Sequence, residues 1–266
     1  MASEADRAAK LKSVCEAALE LASAPLAAVP EWRPGVLPVP TALIHANVFG
    51  ASHVGVARIG ERRRKLELAQ SDGYRLVFRG STLTQAHADL LGVALRHASG
   101  GVEGDRFKMP VEDLLRELGR HHGQLKREGL EGLVHDLACC TLAVRSPGRA
   151  WAASALCVSR FGVDEADAMY FGVDRPLLAL LGLGVAELDE EQRHALGNRP
   201  LAQWMQMYLE IAHGRPPLTV THVRERVAAA QPLFGVRRRV KAAARELSAV
   251  GGRRVSVSAT DEIVED

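Results

Sequence analysis

Hydrophobic positions recur along this chain with two different periods, and the points where the period changes divide it into segments. Over residues 3–23, Leu11, Val14, Ala18 and Leu21 fall on one helical face, with Lys10, Lys12, Glu16 and Glu20 around it. The stripe is narrow, which suits docking on a neighbouring element or on a second copy of the chain. Pro25, Pro30, Pro34, Pro38 and Pro40 follow, and because proline blocks both helix and central strand, this stretch reads as a linker. β-Forming residues over 42–49 predict a strand. Residues 65–70 and 74–79 then alternate, with Leu66 and Leu68 in one run and Leu76 and Phe78 in the other. They flank Ser71-Asp72-Gly73, a hairpin signal.

From Thr82 the period becomes 3.6. Thr82 with Gln85 reads as a capping box, Leu83, Leu90, Leu91 and Leu95 mark the helix, and Ser99-Gly100-Gly101 ends it. A strand over 107–109 follows, then a helix over 110–118 opened by Pro110, and a second helix over 124–138. Strands over 141–145 and 151–161 are joined by Ser146-Pro147-Gly148-Arg149. The same order returns later: a helix over 200–212, a strand over 218–221, helices over 222–230 and 236–250, and a strand over 254–259. Helix, strand, helix, helix and β-wing is the winged form of helix-turn-helix. The predicted fold is therefore α+β, with tandem winged-helix domains whose likeness lies in element order and not in repeated residues. The division expected is 1–40 for the N-terminal helix and Pro-rich linker, 41–185 for a first winged-helix domain with a preceding β-hairpin, and 186–266 for a second.

Composition narrows the function class mostly by what it lacks. With 47% hydrophobic and 25% charged residues the chain is of ordinary globular kind, and a net charge of +2 favours no partner by itself. No run approaches the ~20 apolar residues of a membrane span. The charged N-terminus is not followed by the apolar core of a secretion signal. The expected location is thus cytoplasmic, with no membrane partner. Cys15, Cys139, Cys140 and Cys157 lack the paired C-x-x-C spacing of a zinc site and read as buried, reduced thiols. His121-His122 has no Cys or Asp partner pattern nearby, so neither a metal nor a cofactor is expected. Phosphate-loop, G-x-S-x-G and H-E-x-x-H signatures are missing, and Gly182-Leu183-Gly184 lacks the strand-turn-helix context of a dinucleotide site. Glu187, Asp189, Glu190 and Glu191 suit a helix start or a linker. The chain reads as non-enzymatic.

Charge placement carries the positive signal. In the C-terminal helix, Val236, Val240, Ala243, Ala244, Leu247 and Val250 define one apolar face. Arg238, Lys241, Ala242, Arg245 and Ala249 lie opposite it, with Arg237 and Ser248 at the flanks. Cations interspersed with alanines suit a helix entering the major groove of double-stranded DNA, the cations reaching phosphates or guanine edges while the small residues permit close approach. Arg253 and Arg254 add charge at the wing position, and Glu246 is the one acid between Phe234 and Arg254. The corresponding first-half helix is weaker. Leu130, Leu133, Val134 and Leu137 form its core face, while Gln124, Glu128, Glu131 and His135 are exposed. Lys126 and Arg127 sit near its start, and Arg145 and Arg149 on the expected wing. This half is expected to make fewer DNA contacts or to serve partly in self-association. Arg62-Arg63-Arg64-Lys65 fits a phosphate clamp or a solvated loop equally well. Gln231-Pro232-Leu233-Phe234 is similar to the Gln-x-Leu-Phe peptides that dock on sliding clamps, but it abuts the basic helix, which makes a buried turn the expected role.

Four stretches carry a family resemblance: Arg75-Leu-Val-Phe-Arg-Gly-Ser-Thr-Leu-Thr, Met109-Pro-Val-Glu-Asp-Leu-Leu-Arg-Glu-Leu-Gly, Ser154-Ala-Leu-Cys-Val-Ser-Arg-Phe and Val236-Arg-Arg-Arg-Val-Lys-Ala-Ala-Ala-Arg-Glu-Leu. Through them the chain, from about Leu43 onward, resembles the TrfA-like plasmid replication initiators. Its last third is also similar to the RepC initiators of broad-host-range plasmids. The resemblance implies tandem winged helices that bind direct repeats (iterons) at a plasmid origin, open adjacent DNA, and recruit the host initiator and helicase. It also implies a balance between monomer and homodimer. The first recognition helix departs from that pattern by being more acidic. Two other readings stay open on residues alone: a winged-helix repressor on a palindromic operator, and a protein–protein module whose basic helix meets an acidic partner.

Overall fold

The computed structural model describes residues 12, 28–51, 64–71, 74–81, 83–101, 106–119, 127–146, 149–153, 162–163, 168–172, 175–182, 184–211, 217–227, 231–251 and 254–265. The first part of the chain contains β1 (Val36–Pro40), α1 (Thr41–His45), β2 (Phe49–Gly50), β3 (Arg64–Ser71), β4 (Tyr74–Gly80), β5 (Leu83–Thr84) and α2 (Gln85–His97). Then come β6 (Arg106–Pro110), α3 (Val111–Glu117), α4 (Arg127–Ala138), β7 (Thr141–Ser146), β8 (Arg149–Ala153), β9 (Gly162–Val163) and β10 (Ala168–Gly172). The last part holds α5 (Arg175–Leu181), β11 (Val185–Asp189), α6 (Glu190–Leu196), α7 (Pro200–Glu210), β12 (Leu218–Thr219), α8 (Val220–Val227), α9 (Leu233–Val250), β13 (Val255–Val257) and β14 (Glu262–Glu265). The helix expected over 3–23, apart from Lys12, and the residues Arg62, Arg63, His121, His122, Lys126 and Arg253 lie outside the described residues.

Helix α2 is the centre. Every residue from Gln85 to Leu95 is buried, so this helix needs neighbours on all sides, and β1, β2, α4 and α7 supply them. Gly92 lets β1 come close, since a Cβ there would lie 3.0 Å from that of Leu37. The helix starts two residues later than Thr82 and Gln85 suggest. The Thr84 N–H donates to His87 Nδ1 at 2.9 Å, which caps the first turn, and Leu83 sits in β5, parallel to β2. Gln85 is not a capping residue: its amide donates to the Phe49 carbonyl at 3.1 Å.

Two expectations fail just upstream. Residues 36–40, read as linker, form strand β1, paired antiparallel with β11 from Val36↔Asp189 to Pro40↔Val185. A two-stranded sheet leaves each strand a free edge, where Pro38 and Pro40 cost no ladder bond, while Leu37 and Val39 are buried. Residues 42–49, read as a strand, begin with helix α1 instead. Leu43 and Ile44 are adjacent and both 1% exposed, buried together within the single helical turn Thr41–His45.

The two halves repeat one arrangement. In the first, α2, β6, α3 and α4 precede a three-stranded sheet of order β6-β10-β9; in the second, α7, β12, α8 and α9 precede one of order β12-β14-β13. Each sheet sets the strand that precedes the helix pair beside the last strand, antiparallel, which is winged-helix order. The first wing is therefore β9–β10 and not residues 141–161. Strands β7 and β8 join the hairpin β3–β4 in a separate antiparallel sheet of order β3-β4-β7-β8, where Arg145 pairs with Arg75 and Ser146 with Arg149. Pairing with β4 across more than 60 residues is what takes this hairpin away from the wing.

One hydrophobic core runs from Val29 to Ile263 through both halves. A polar node crosses it. Arg193 of α6, 1% exposed, donates to Asp89 Oδ1 (2.6 Å) and Gln85 Oε1 (2.7 Å) of α2 and to the Gln203 carbonyl (2.6 Å) of α7. With both charges paired and the remaining guanidinium hydrogens directed at oxygens, the node can stay dry. A second joint involves Asn47, in the left-handed region at φ 52°. Its side chain donates to the Arg226 carbonyl (2.8 Å) of α8 and accepts from the Trp204 indole (2.9 Å) of α7. Arg226 in turn donates to the His45 carbonyl at 2.8 Å. Among the described residues, no helix is long and apolar enough to cross a membrane.

Candidate nucleic-acid interface

Helix α9 spans three more residues at its start than the apolar spacing shows. Val236, Val240, Ala243, Ala244 and Leu247 are buried, and they seat the helix against α7, α8 and β13. Arg238, Arg239, Lys241, Ala242, Arg245 and Ala249 are exposed. At 100° per residue Arg238, Lys241 and Arg245 fall within about 60° of one another, opposite the buried stripe. Among the described residues none of these three has an ion-pair partner. Glu246, the one nearby acid, is 3.7 Å from Arg199 at the start of α7, which leaves the cationic line uninterrupted.

The flanks of the helix are held. Arg237, expected to touch DNA, instead pairs through Nε with Asp261 in the turn between β13 and β14. Asp261 has φ 65°, and its carbonyl accepts from the Val220 N–H at 2.9 Å, so this ion pair ties helix α9, the wing turn and the start of α8 together. Ser248 is likewise structural: its hydroxyl accepts from the Val255 N–H (2.8 Å), pinning β13 to the end of α9. The wing turn is short. Ser258 N–H donates to the Glu262 carbonyl at 2.8 Å, and the Ser258 hydroxyl accepts from the Glu262 N–H at 3.0 Å. Arg254 is exposed at the foot of β13, which Ser248 ties to the end of α9.

Ahead of α9 the Gln231 turn has Pro232 as helix N-cap residue. The Arg224 Nε donates to the Gln231 carbonyl and Arg239 Nη1 to its Oε1, each at 2.9 Å. This turn is exposed and not buried. Leu233 is 39% and Phe234 80% exposed, because Phe234 stands about 160° round the helix from Val236. Arg239 and Phe234 are the surface residues that charge counting passed over.

The first-half counterpart offers a different surface. Leu130, Leu133, Val134 and Leu137 of α4 are buried as their spacing requires, and Gly132 and His135 are exposed. Asp136 accepts from the Ser81 hydroxyl at 2.8 Å, and His87 Nε2 points at its carboxylate from 3.6 Å. The His87 contact, with help from Ser81, outweighs the opposing effect of burial and holds the Asp136 carboxyl below its ordinary range. A fixed negative charge therefore sits on this helix. The backbones of Arg127, Arg145 and Arg149 lie at the start of α4 and on β7 and β8, so the last two are not on a wing. Of the described cysteines, Cys139 is exposed and Cys140 buried, with the Cys140 thiol pushed up to about 12 by burial. That corrects the buried reading for Cys139 and leaves Cys140 an inert packing residue.

No protein-family model matches the chain, and no curated protein sequence matches it. Its fold is similar to the crystal structure of domains 2 and 3 of RctB, with a TM-score of 0.56 at 10% sequence identity. The match covers 85% of this chain and 96% of the RctB chain.

Proposed function

We propose that this protein is a plasmid replication initiator of TrfA-like kind, which binds repeated double-stranded DNA sites (iterons) at an origin through α9, promotes opening of the adjacent duplex and recruits the helicase. The observation that carries this reading is the unpaired line Arg238, Lys241 and Arg245 on the solvent face of a helix whose other face is buried, followed directly by a wing. Cations in that geometry neutralise phosphates or reach guanine edges. RctB, whose domains share the fold, is a Vibrio chromosome II replication initiator, which supports initiation over repression. Residues 41–185 and 186–266 act as two winged-helix units fused over one core, with α9 as the principal contact and Arg254 and Arg253 at its wing. Host initiator, helicase and a second copy of the chain are the protein partners of this reading.

Footprinting on the plasmid DNA that flanks the gene tests it. Protection of spaced direct repeats is the expected result. A single palindrome would make the protein a repressor, and no footprint would leave a module for an acidic protein partner. Mobility-shift titration adds the residue test. Arg238→Ala with Arg245→Ala should weaken binding on the order of a hundredfold and make the salt dependence shallower by about two charges. Unchanged binding would remove α9 from the interface.

A further inference from the structure

We infer that Phe234 is a base-reading residue that packs against the 5-methyl group of a thymine when α9 lies in the major groove. The inference rests on the DNA contact proposed for α9 and adds to it a specific chemistry. Phe234 is 80% exposed, and positions 234, 238, 241 and 245 follow helical spacing of four, three and four. The aromatic ring thus leads the same line that Arg238, Lys241 and Arg245 continue, so a groove that receives the three cations receives the ring as well.

The turn that presents the ring is held in place. Gln231, three residues before it, is fixed by Arg224 and Arg239, one from each helix of the pair. Gly235 beside it has nothing within 4 Å of a built Cβ, leaving the backbone open to close approach. Residues at the start of a recognition helix are the ones that meet base edges. Phosphates and the polar base edges offer nothing to a phenyl ring, whereas the thymine methyl is the apolar feature of the major groove. A protein-docking surface would need apolar neighbours beyond Leu233. Among the described residues, the exposed ones around Phe234 are Gln231 and Arg238, with Pro232 adding one small apolar ring.

The test selects duplexes from a random-sequence library with the full-length protein, then replaces each thymine of the enriched duplex by deoxyuridine, which lacks the methyl group. One replacement should weaken wild-type binding about fourfold, the worth of one buried methyl. The same replacement should leave Phe234→Ala unaffected, while that variant binds the parent duplex at least fourfold more weakly with an unchanged melting temperature. Equal losses in variant and wild type, or wild-type affinity for Phe234→Ala, would overturn the inference while leaving α9 as the DNA contact. A variant that binds DNA normally but loses a stoichiometric protein partner would overturn it too. Failure of the wild type to enrich any duplex would bring down the DNA-binding reading itself.

Discussion

Helices α4 and α9 occupy the same place in the two halves, each after a short helix and before a wing sheet, yet they offer solvent different chemistry. On α9 the exposed face is a line of cations led by an aromatic ring. On α4 the exposed residues, among those described, are Gly132 and His135, with Asp136 kept ionised at the side by His87 and Ser81. The buried faces differ as well. Leucines dominate that of α4, and Val and Ala that of α9, apart from Leu247. Seating a helix on this scaffold constrains its inner stripe and leaves the outer one free, so one fold can carry a nucleic-acid surface in one half and a joint in the other. Asp136 of α4 turns to His87 of α2, while Arg238, Lys241 and Arg245 of α9 face solvent.

The two halves share one core, and the Arg193 node is the buried polar joint between them. Arg193→Met strands Asp89 as a buried, unpaired carboxylate and leaves the Gln85 and Gln203 oxygens without their donor. Breaking a buried pair in this way costs about 3–5 kcal/mol. Urea denaturation should show that loss, together with separation of one unfolding transition into two. A loss below about 1 kcal/mol would mean that the halves are held elsewhere.

Next in size is the contrast between the helices as DNA contacts. Lys126→Ala with Arg127→Ala removes as many charges as Arg238→Ala with Arg245→Ala. On an origin duplex the first pair should cost less than about threefold, against the hundredfold loss expected of the second. Comparable losses would put both units on DNA equally and dissolve the asymmetry.

Within α9 itself, neighbouring arginines should behave unlike one another. Arg237 is paired with Asp261 and about 40% exposed, so its expected part is to steady the wing and not to bind a phosphate. Arg237→Ala should lower the melting temperature by a few degrees, the effect of an exposed pair worth up to about 1 kcal/mol. The salt slope of DNA binding should not change. A slope shallower by one charge would show Arg237 leaving Asp261 for the duplex.

Local periodicity made the inner faces legible. The buried residues of α9 and α4 are the ones their spacing marks, and β3 pairs with β4 as far as Ser71↔Tyr74, as the hairpin signal requires. What escaped depends on pairing at a distance. Strand β9 is two residues long and carries no alternation to detect, while the conspicuous strands β7 and β8 belong to another sheet. Arg193 follows Glu190 and Glu191, and in one dimension such a residue looks like surface; burial comes from Asp89, 104 positions away. Helical spacing puts Arg237 at the flank of the apolar face, but its partner Asp261 comes from 24 positions on. The cationic line was visible because it needs no partner from elsewhere in the chain.

The smallest effect isolates the fixed charge on α4. Asp136 titrates below its ordinary value of 3.8 in the folded protein, chiefly through His87, with Ser81 adding to it and burial opposing. A carboxyl with a depressed folded pKa contributes stability that is complete above its unfolded pKa and disappears as pH falls through the folded one. The contribution should therefore be flat at neutral pH and fade only below about 3.8. Asp136 is 38% exposed, so solvent screening limits the contribution to about 0.5 kcal/mol. Asp136→Asn keeps the Ser81 contact but not the charge. It should be slightly less stable than wild type at pH 7 and equal to it near pH 2, in parallel urea titrations. A gap that persists at pH 2 would assign the loss to packing, and the negative charge would no longer distinguish α4 from α9.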